Sequence, residues 1–195
     1  MPEKKELTAI ILAGGQSSRM MQDKGLVCLH GKSMIEYIIE KVKKITGNII
    51  IITQNPAYRK FGYPCFKDSF KELGPLGGIY SGLIHSSSQK NLVLGCDTPF
   101  FSDHLLRSLT ENFSDEDALV TEHNGKAEPL CAIYDRNCIP HFHTLLKQGK
   151  LKVIDALQGL KTVLINFDKE AWLTKNEFAN INTPEELKKY SNTIK

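Results

Sequence analysis

Cysteine is sparse and unpaired in this 195-residue chain. The five cysteines stand at 28, 65, 96, 131 and 138, an odd number with no C-x-x-C pair. That spacing gives neither a zinc-ribbon ligand set nor a disulfide framework. Most lie in apolar runs, where a free cysteine acts as a small hydrophobe, so a reduced, cytoplasmic protein is expected. No apolar run is long enough to span a bilayer, which takes about 20 residues. The first residues, Met1-Pro2-Glu3-Lys4-Lys5-Glu6, are charged and carry no apolar core, so no signal peptide is expected. Net charge is only +3, without a dense Lys/Arg face, so nucleic acid is not the expected partner. Repeats, low-complexity segments and linkers are also missing.

Two phosphate-binding signatures are absent as well. There is no G-x-x-x-x-G-K-[ST], and no G-x-G-x-x-G after the first apolar run, which excludes a Walker A loop and disfavours a dinucleotide fingerprint. The histidines 30, 85, 104, 123, 141 and 143 complete no zinc pattern. His141 and His143 are the one close pair and read as surface or core residues. No Ser/His/Asp or Cys/His nucleophilic arrangement is present.

What the chain has begins at its start. The apolar run Leu7–Leu12 leads into Ala13-Gly14-Gly15-Gln16-Ser17-Ser18-Arg19-Met20, with Lys24 close behind. Glycines allow close backbone approach to a ligand. Successive N–H groups in such a turn make an anion site, and Arg19 and Lys24 add positive charge. The loop suits a nucleoside triphosphate; an ordinary strand-to-loop turn is the plainer alternative.

Apolar periodicity alternates strand and helix. Strands are predicted at Leu7–Leu12, Ile49–Thr53, Leu92–Gly95, Ala118–Glu122, Leu130–Tyr134 and Thr162–Asn166. Helices are predicted over Ser33 to Ile45, Pro75 to Ser87, after Ser102, and after Thr183. Ser33/Glu36 and Thr183/Glu186 match capping boxes, and Asn124-Gly125 marks a hairpin. This order predicts one α/β domain over 1–195: a mostly parallel, doubly wound sheet with a smaller antiparallel piece in the second half. Ligands bind such sheets beyond the carboxyl ends of the strands.

Asp97 follows a buried-looking strand and is the main catalytic candidate. Magnesium with a nucleotide takes one or two carboxylates, phosphates and waters; a turn aspartate is the alternative. Asp68 fits a nucleobase, ribose or metal role, or a loop cap. Gly74, Gly77 and Gly78 fit either close helix–ligand approach or packing. Asn180 and Asn182 flank Ile181 and would share a face if extended, to bind phosphate or pterin groups, or they are turn residues before a helix.

Five motifs then occur in order: L-A-G-G-Q-S-S-R-M…D-K at 12–24, K-D-S at 67–69, G-P-L-G-G at 74–78, C-D-T-P-F at 96–100 and N-I-N-T-P-E-E-L at 180–187. Together they resemble the molybdenum cofactor guanylyltransferase family over nearly the whole chain. The resemblance implies a nucleotide-diphospho-sugar transferase-like fold, with residues 1–100 as the nucleotide half and 101–195 as the molybdopterin half. It implies GMP transfer from GTP to the terminal phosphate of molybdopterin, with magnesium on Asp97 and Lys24, Arg19 and Asp97 as catalytic residues. Leu12, Ala13, Gly14, Gly15 and Lys24 would lie against GTP, Asn55 and Asp68 match guanosine positions, and Asn180 and Asn182 match the molybdopterin side. Gly77 and Gly78 are carried over as binding positions. Implied partners are GTP, molybdopterin and molybdoenzyme-maturation proteins, with no nucleic acid and no membrane. Met21 stands where the family has glycine. The alternatives are a molybdopterin cytidylyltransferase, a sugar- or polyol-phosphate transferase, or a non-catalytic nucleotide-binding protein.

Overall fold

The structure, a computed structural model, describes residues 7–14, 23–69 and 74–191. In chain order these give β1 (Leu7–Leu12), a 3-10 turn (Lys24–Leu26), β2 (Cys28–Leu29), β3 (Lys32–Ser33), α1 (Met34–Val42) and β4 (Asn48–Ile52). There follow a second 3-10 segment (Pro56–Phe61), β5 (Cys65–Phe66), α2 (Gly74–His85), β6 (Lys90–Gly95), α3 (Asp103–Asn112), β7 (Ala118–His123) and β8 (Lys126–Asp135). α4 (Cys138–Lys147), α5 (Val153–Ala156), β9 (Thr162–Asn166) and α6 (Pro184–Ser191) complete the described fold.

The central strand is β1, and its unbroken apolar run has a structural cause. Parallel neighbours β4 and β6 cover both its edges, and helices cover both its faces. Ala9 and Ile11 pack with Ile35, Ile38, Leu105 and Leu109 of α1 and α3. Ile10 and Leu12 pack with Leu76, Ile79 and Leu83 of α2 and Phe142 of α4. Alternate strand residues thus feed two separate cores. The seven-stranded order is β5-β4-β1-β6-β8-β7-β9. All pairings are parallel except those of β8, which runs against both β6 and β7. The expected antiparallel piece of the second half is therefore one reversed strand inside the sheet.

Local signals held where they depend on near neighbours. The Ser33 and Glu36 capping box forms, with Glu36 accepting from Ser33 N at 2.7 Å. The Ser33 hydroxyl bond and this backbone bond hold the Glu36 carboxyl below its usual range. Thr183 and Glu186 form the second box, at 3.1 and 3.2 Å. Ser102 caps α3, accepting from Leu105 N at 3.1 Å. Asn124 and Gly125 both have positive φ, 50° and 71°, the pattern of a two-residue type I′ hairpin turn.

Other features were not predicted. The β2–β3 ribbon and β5 have two residues each, too few for a periodicity. α4 buries Cys138, Phe142 and Leu146, spaced four apart, while Pro140 sits in its first turn, where the missing N–H is tolerated. α1 ends three residues before Ile45, and α2 starts one residue before Pro75. Ile181 is fully buried with Val27, Leu29 and Met34, and Leu187 and Tyr190 of α6 pack on that cluster. This small third core ties the last helix to the first loop of the sheet.

Candidate active site

The carboxyl ends of β1 and β6 are joined one residue beyond the strands, where Cys96 N donates to Leu12 O at 3.1 Å. Ala13 N donates to Ile52 O at 2.9 Å on the other side. Ala13-Gly14 and Asp97 therefore emerge side by side at one edge of the sheet. Gly14 is exposed, and among the described residues a Cβ there would meet Ile52 O alone, at 3.9 Å. Among the described residues, packing does not require glycine at 14. Gly95 is different: a Cβ there would stand 2.8 Å from Asp97 Oδ1. The end of β6 needs glycine to seat the carboxylate.

Asp97 gathers the other elements. Its carbonyl accepts from Ile181 N at 2.9 Å, which brings the Asn180–Asn182 segment to the strand end. Lys24 Nζ lies 3.5 Å from Asp97 Oδ2 and donates to Asn182 Oδ1. Three separate sequence motifs thus meet at Lys24, Asp97 and Asn182. Both Lys24 and Asp97 side chains keep about a quarter of their surface exposed (26% and 25%). A pair so exposed stabilises a fold by at most about 1 kcal/mol. The charges are open to a ligand rather than spent on packing.

Tyr58, which the sequence reading did not single out, and Asn55 set the position of Lys24 through Asp23. Tyr58 is fully buried and donates from Oη to Asp23, the residue before Lys24. Asn55 Nδ2 donates to the other oxygen of Asp23 at 3.1 Å. Burial pushes the Tyr58 hydroxyl far above its usual range, so it remains a neutral donor. Gly25 lies under this contact. A Cβ there would overlap Tyr58 Oη and come within 3.2 Å of Cys96 Sγ. Gly25→Ala is expected to destabilise the protein by about 1–3 kcal/mol, as overpacking does, measured by denaturant unfolding. An unchanged midpoint would show that Tyr58 can move aside and does not clamp this turn.

The remaining predicted residues fall at several places. Both ends of the Asn55 amide are engaged within the protein, since Oδ1 also accepts from Ala57 N at 2.9 Å. Asp68 is held by Ser81 of α2, whose hydroxyl donates to Oδ1 at 3.0 Å. Gly77 and Gly78 are buried in α2; a Cβ on Gly78 would be 3.3 Å from Leu12 Cδ1, so that glycine seats α2 on β1. Gly74 opens α2 at φ +67°. His141 binds Ala156 O at 3.0 Å and His143 stacks on Tyr80, structural duties as expected. Gly15 and Arg19 lie outside the described residues.

Beside Asp97 is a cavity of about 580 Å³. Gly74, Pro75, Asp97, Glu128, Asn180 and Asn182 contribute to its wall. It draws on both halves of the chain and brings Asn180, which is exposed, to the same space as Asn182. Among the described residues no group of three or more His, Cys, Asp or Glu could hold a metal. The carboxylate of Asp97 fits a hard cation whose other ligands come from phosphates and water, which is the habit of magnesium with nucleotides. No described helix is long and apolar enough to cross a membrane.

A family model described as a MobA-like NTP transferase domain matches residues 9–163. The chain belongs to this family. By that membership it is a nucleotidyltransferase, a class that generally works with a divalent metal. A Flavobacterium johnsoniae protein named "Probable molybdenum cofactor guanylyltransferase" is 36% identical over 93% of this chain and 94% of its own. A Vibrio vulnificus protein named molybdenum cofactor guanylyltransferase is 34% identical over 93% of both chains. Among solved structures, molybdopterin-guanine dinucleotide biosynthesis protein A from Archaeoglobus fulgidus superposes with a TM-score of 0.79 at 27% identity, covering 95% of this chain and 97% of that one. A nucleotidyl transferase from Methanothermobacter thermautotrophicus, TM-score 0.77 at 16% identity, shares the fold over 96% of this chain and 97% of its own. The chain thus shares the nucleotidyltransferase fold of these structures over nearly its whole length.

Proposed function

We propose that this protein transfers GMP from GTP to the terminal phosphate of molybdopterin, releasing pyrophosphate and forming the guanine dinucleotide cofactor. The observation that carries the reading is the junction of Lys24, Asp97 and Asn182 between the Ala13-Gly14 backbone and the cavity. The names of the relatives support the choice of nucleotide and acceptor.

In the reaction, a phosphate oxygen of molybdopterin forms a bond to the α-phosphorus of GTP. The bond from that phosphorus to the bridging oxygen of the β-phosphate breaks. A phosphate monoester is already nucleophilic, so the site needs no strong base and contributes mainly position and charge. Asp97 is the residue to hold Mg2+, which when bound neutralises phosphate charge. Lys24 meets the charge that grows on the leaving pyrophosphate, and Arg19 is assigned the same duty by its motif. Leu12 closes the nucleotide side from β1, and the Ala13–Gly15 backbone meets the guanine edge. Asn180 faces the acceptor. Asn182 has a double role, because it also holds the Lys24 ammonium. Work in the cytoplasm beside molybdoenzyme-maturation proteins follows from this activity.

The test is transfer to molybdopterin with magnesium and each of GTP, CTP, ATP and UTP. GTP is expected to be preferred strongly, since a site built to hydrogen-bond one base leaves groups unpaired with another. Equal or faster turnover with CTP would replace the guanylyl reading with a cytidylyl one.

A further inference from the structure

Strands β7 and β8 do not keep one register. Val120 pairs with Ala132, but Thr121 pairs with Glu128, so Pro129, Leu130 and Cys131 bulge out of the ladder. Proline suits that position because it has no N–H to leave unpaired. The bulge is also held in shape. Thr121 Oγ1 donates to Cys131 O at 2.7 Å, and Tyr134 Oη donates to Pro129 O at 2.9 Å. Bulges beside sites re-aim side chains. Here the bulge and Glu128 line the cavity next to Asp97.

Glu128 is half-buried there, and no hydrogen bond or ion pair to its carboxylate is found among the described residues. Burial raises its carboxyl above the usual range, the Asp97 charge adds to this, and His123 and Lys126 oppose it. A desolvated carboxylate without donors is costly until a ligand supplies them. Its place in the sheet says which ligand. The order runs β4-β1-β6-β8, so Ala13-Gly14 lies on the β1 side of Asp97 and Glu128 on the β8 side. The nucleotide and the acceptor then take opposite sides of Asp97. Leu130, Leu151 and Ile154 give the cavity apolar wall against which a flat ring can lie.

We propose that Glu128 reads the acceptor's pterin ring, accepting hydrogen bonds from its N3–H and its 2-amino group. This rests on the cavity being the acceptor site of the function proposed above. Those two N–H groups are parallel donors, and a carboxylate meets them with two parallel oxygens, a charge-assisted and geometrically selective pair. Guanine carries the same edge, and the position of Glu128 beyond Asp97 assigns it to the acceptor.

The test compares binding of 6-(phosphooxymethyl)pterin with its lumazine analogue, which has a 2-oxo group in place of the amine. Fluorescence titration of the full-length protein reads both. The wild-type protein is expected to prefer the pterin by about tenfold or more. Glu128→Gln is expected to reverse the preference, because its amide can accept from N3–H while donating to the 2-oxo group. Glu128→Ala is expected to abolish discrimination, and GTP affinity measured without pterin is expected to stay unchanged in both variants. An unaltered pterin-to-lumazine ratio in the two folded variants would overturn the proposal. So would a raised magnesium requirement in Glu128→Gln, which would make Glu128 a metal ligand. Guanylyl transfer to molybdopterin by the wild-type protein with unaltered ratios in the variants overturns only the role of Glu128. Reversal of the ratio in a protein that transfers nothing overturns only the function.

Discussion

Lys24→Ala is expected to lower guanylyl transfer by about 10²–10³-fold, equivalent to ~2.7–4 kcal/mol of barrier, while the protein stays folded. The lysine ends at Asp97 and Asn182 with a quarter of its surface open. Its ammonium supports no core residue, so stability should change by less than about 1 kcal/mol. The rate should change far more, because the charge is fixed where the pyrophosphate leaves. Lys24→Arg is expected to restore part of the activity, since a planar guanidinium keeps the charge but does not fit between Asp97 and Asn182 as an ammonium does. Steady-state rates with saturating GTP and magnesium, alongside thermal melts, provide the measurement. Near-normal turnover in a folded Lys24→Ala protein would remove the lysine from the mechanism.

Asp97→Asn is expected to abolish magnesium-dependent turnover, with a smaller loss of GTP binding and little change in the melting temperature of the free protein. The amide is isosteric, and the main-chain bond from Ile181 N to the carbonyl at 97 is kept. Gly95 leaves room for either side chain. What is lost is the negative charge that a hard divalent cation requires. Without a bound cation the triphosphate keeps Lys24, Arg19 and the backbone but loses the charge that orients it. The assay is transfer across a magnesium titration. Wild-type turnover at limiting magnesium would show that Asp97 is not the ligand and would move attention to Asp68.

Much of the fold was legible because it rests on neighbours in sequence. The unbroken Leu7–Leu12 run marks a strand buried on both faces, and the structure gives those same bounds. The two capping boxes span four residues each, and the Asn124-Gly125 turn spans two. Such features depend on backbone geometry and on one or two side chains. The order of the five motifs was also legible, and it indicated the family now shown by the match over residues 9–163. Less legible were strands of two residues, whose pairing comes from the ribbon or sheet that receives them. Asn55 shows a different limit. The family resemblance set it against guanosine, and the fold bonds both ends of its amide, to Ala57 and Asp23.

The sequence by itself determined the strand and helix pattern, the doubly wound class and the residue types of a phosphate-handling site. Only the tertiary structure decided which of those residues meet. Lys24 and Asn182 are 158 positions apart, and they touch because Ile181 is buried against Val27, Leu29 and Met34 and bonds to Asp97. Tyr58 reaches Asp23 across 35 positions, and nothing near either residue signals the contact. Glu128 enters the cavity through a shift of register between β7 and β8. Periodicity reports which face of an element is apolar. It carries no information on which elements become neighbours, because sheet order and packing between distant segments set that.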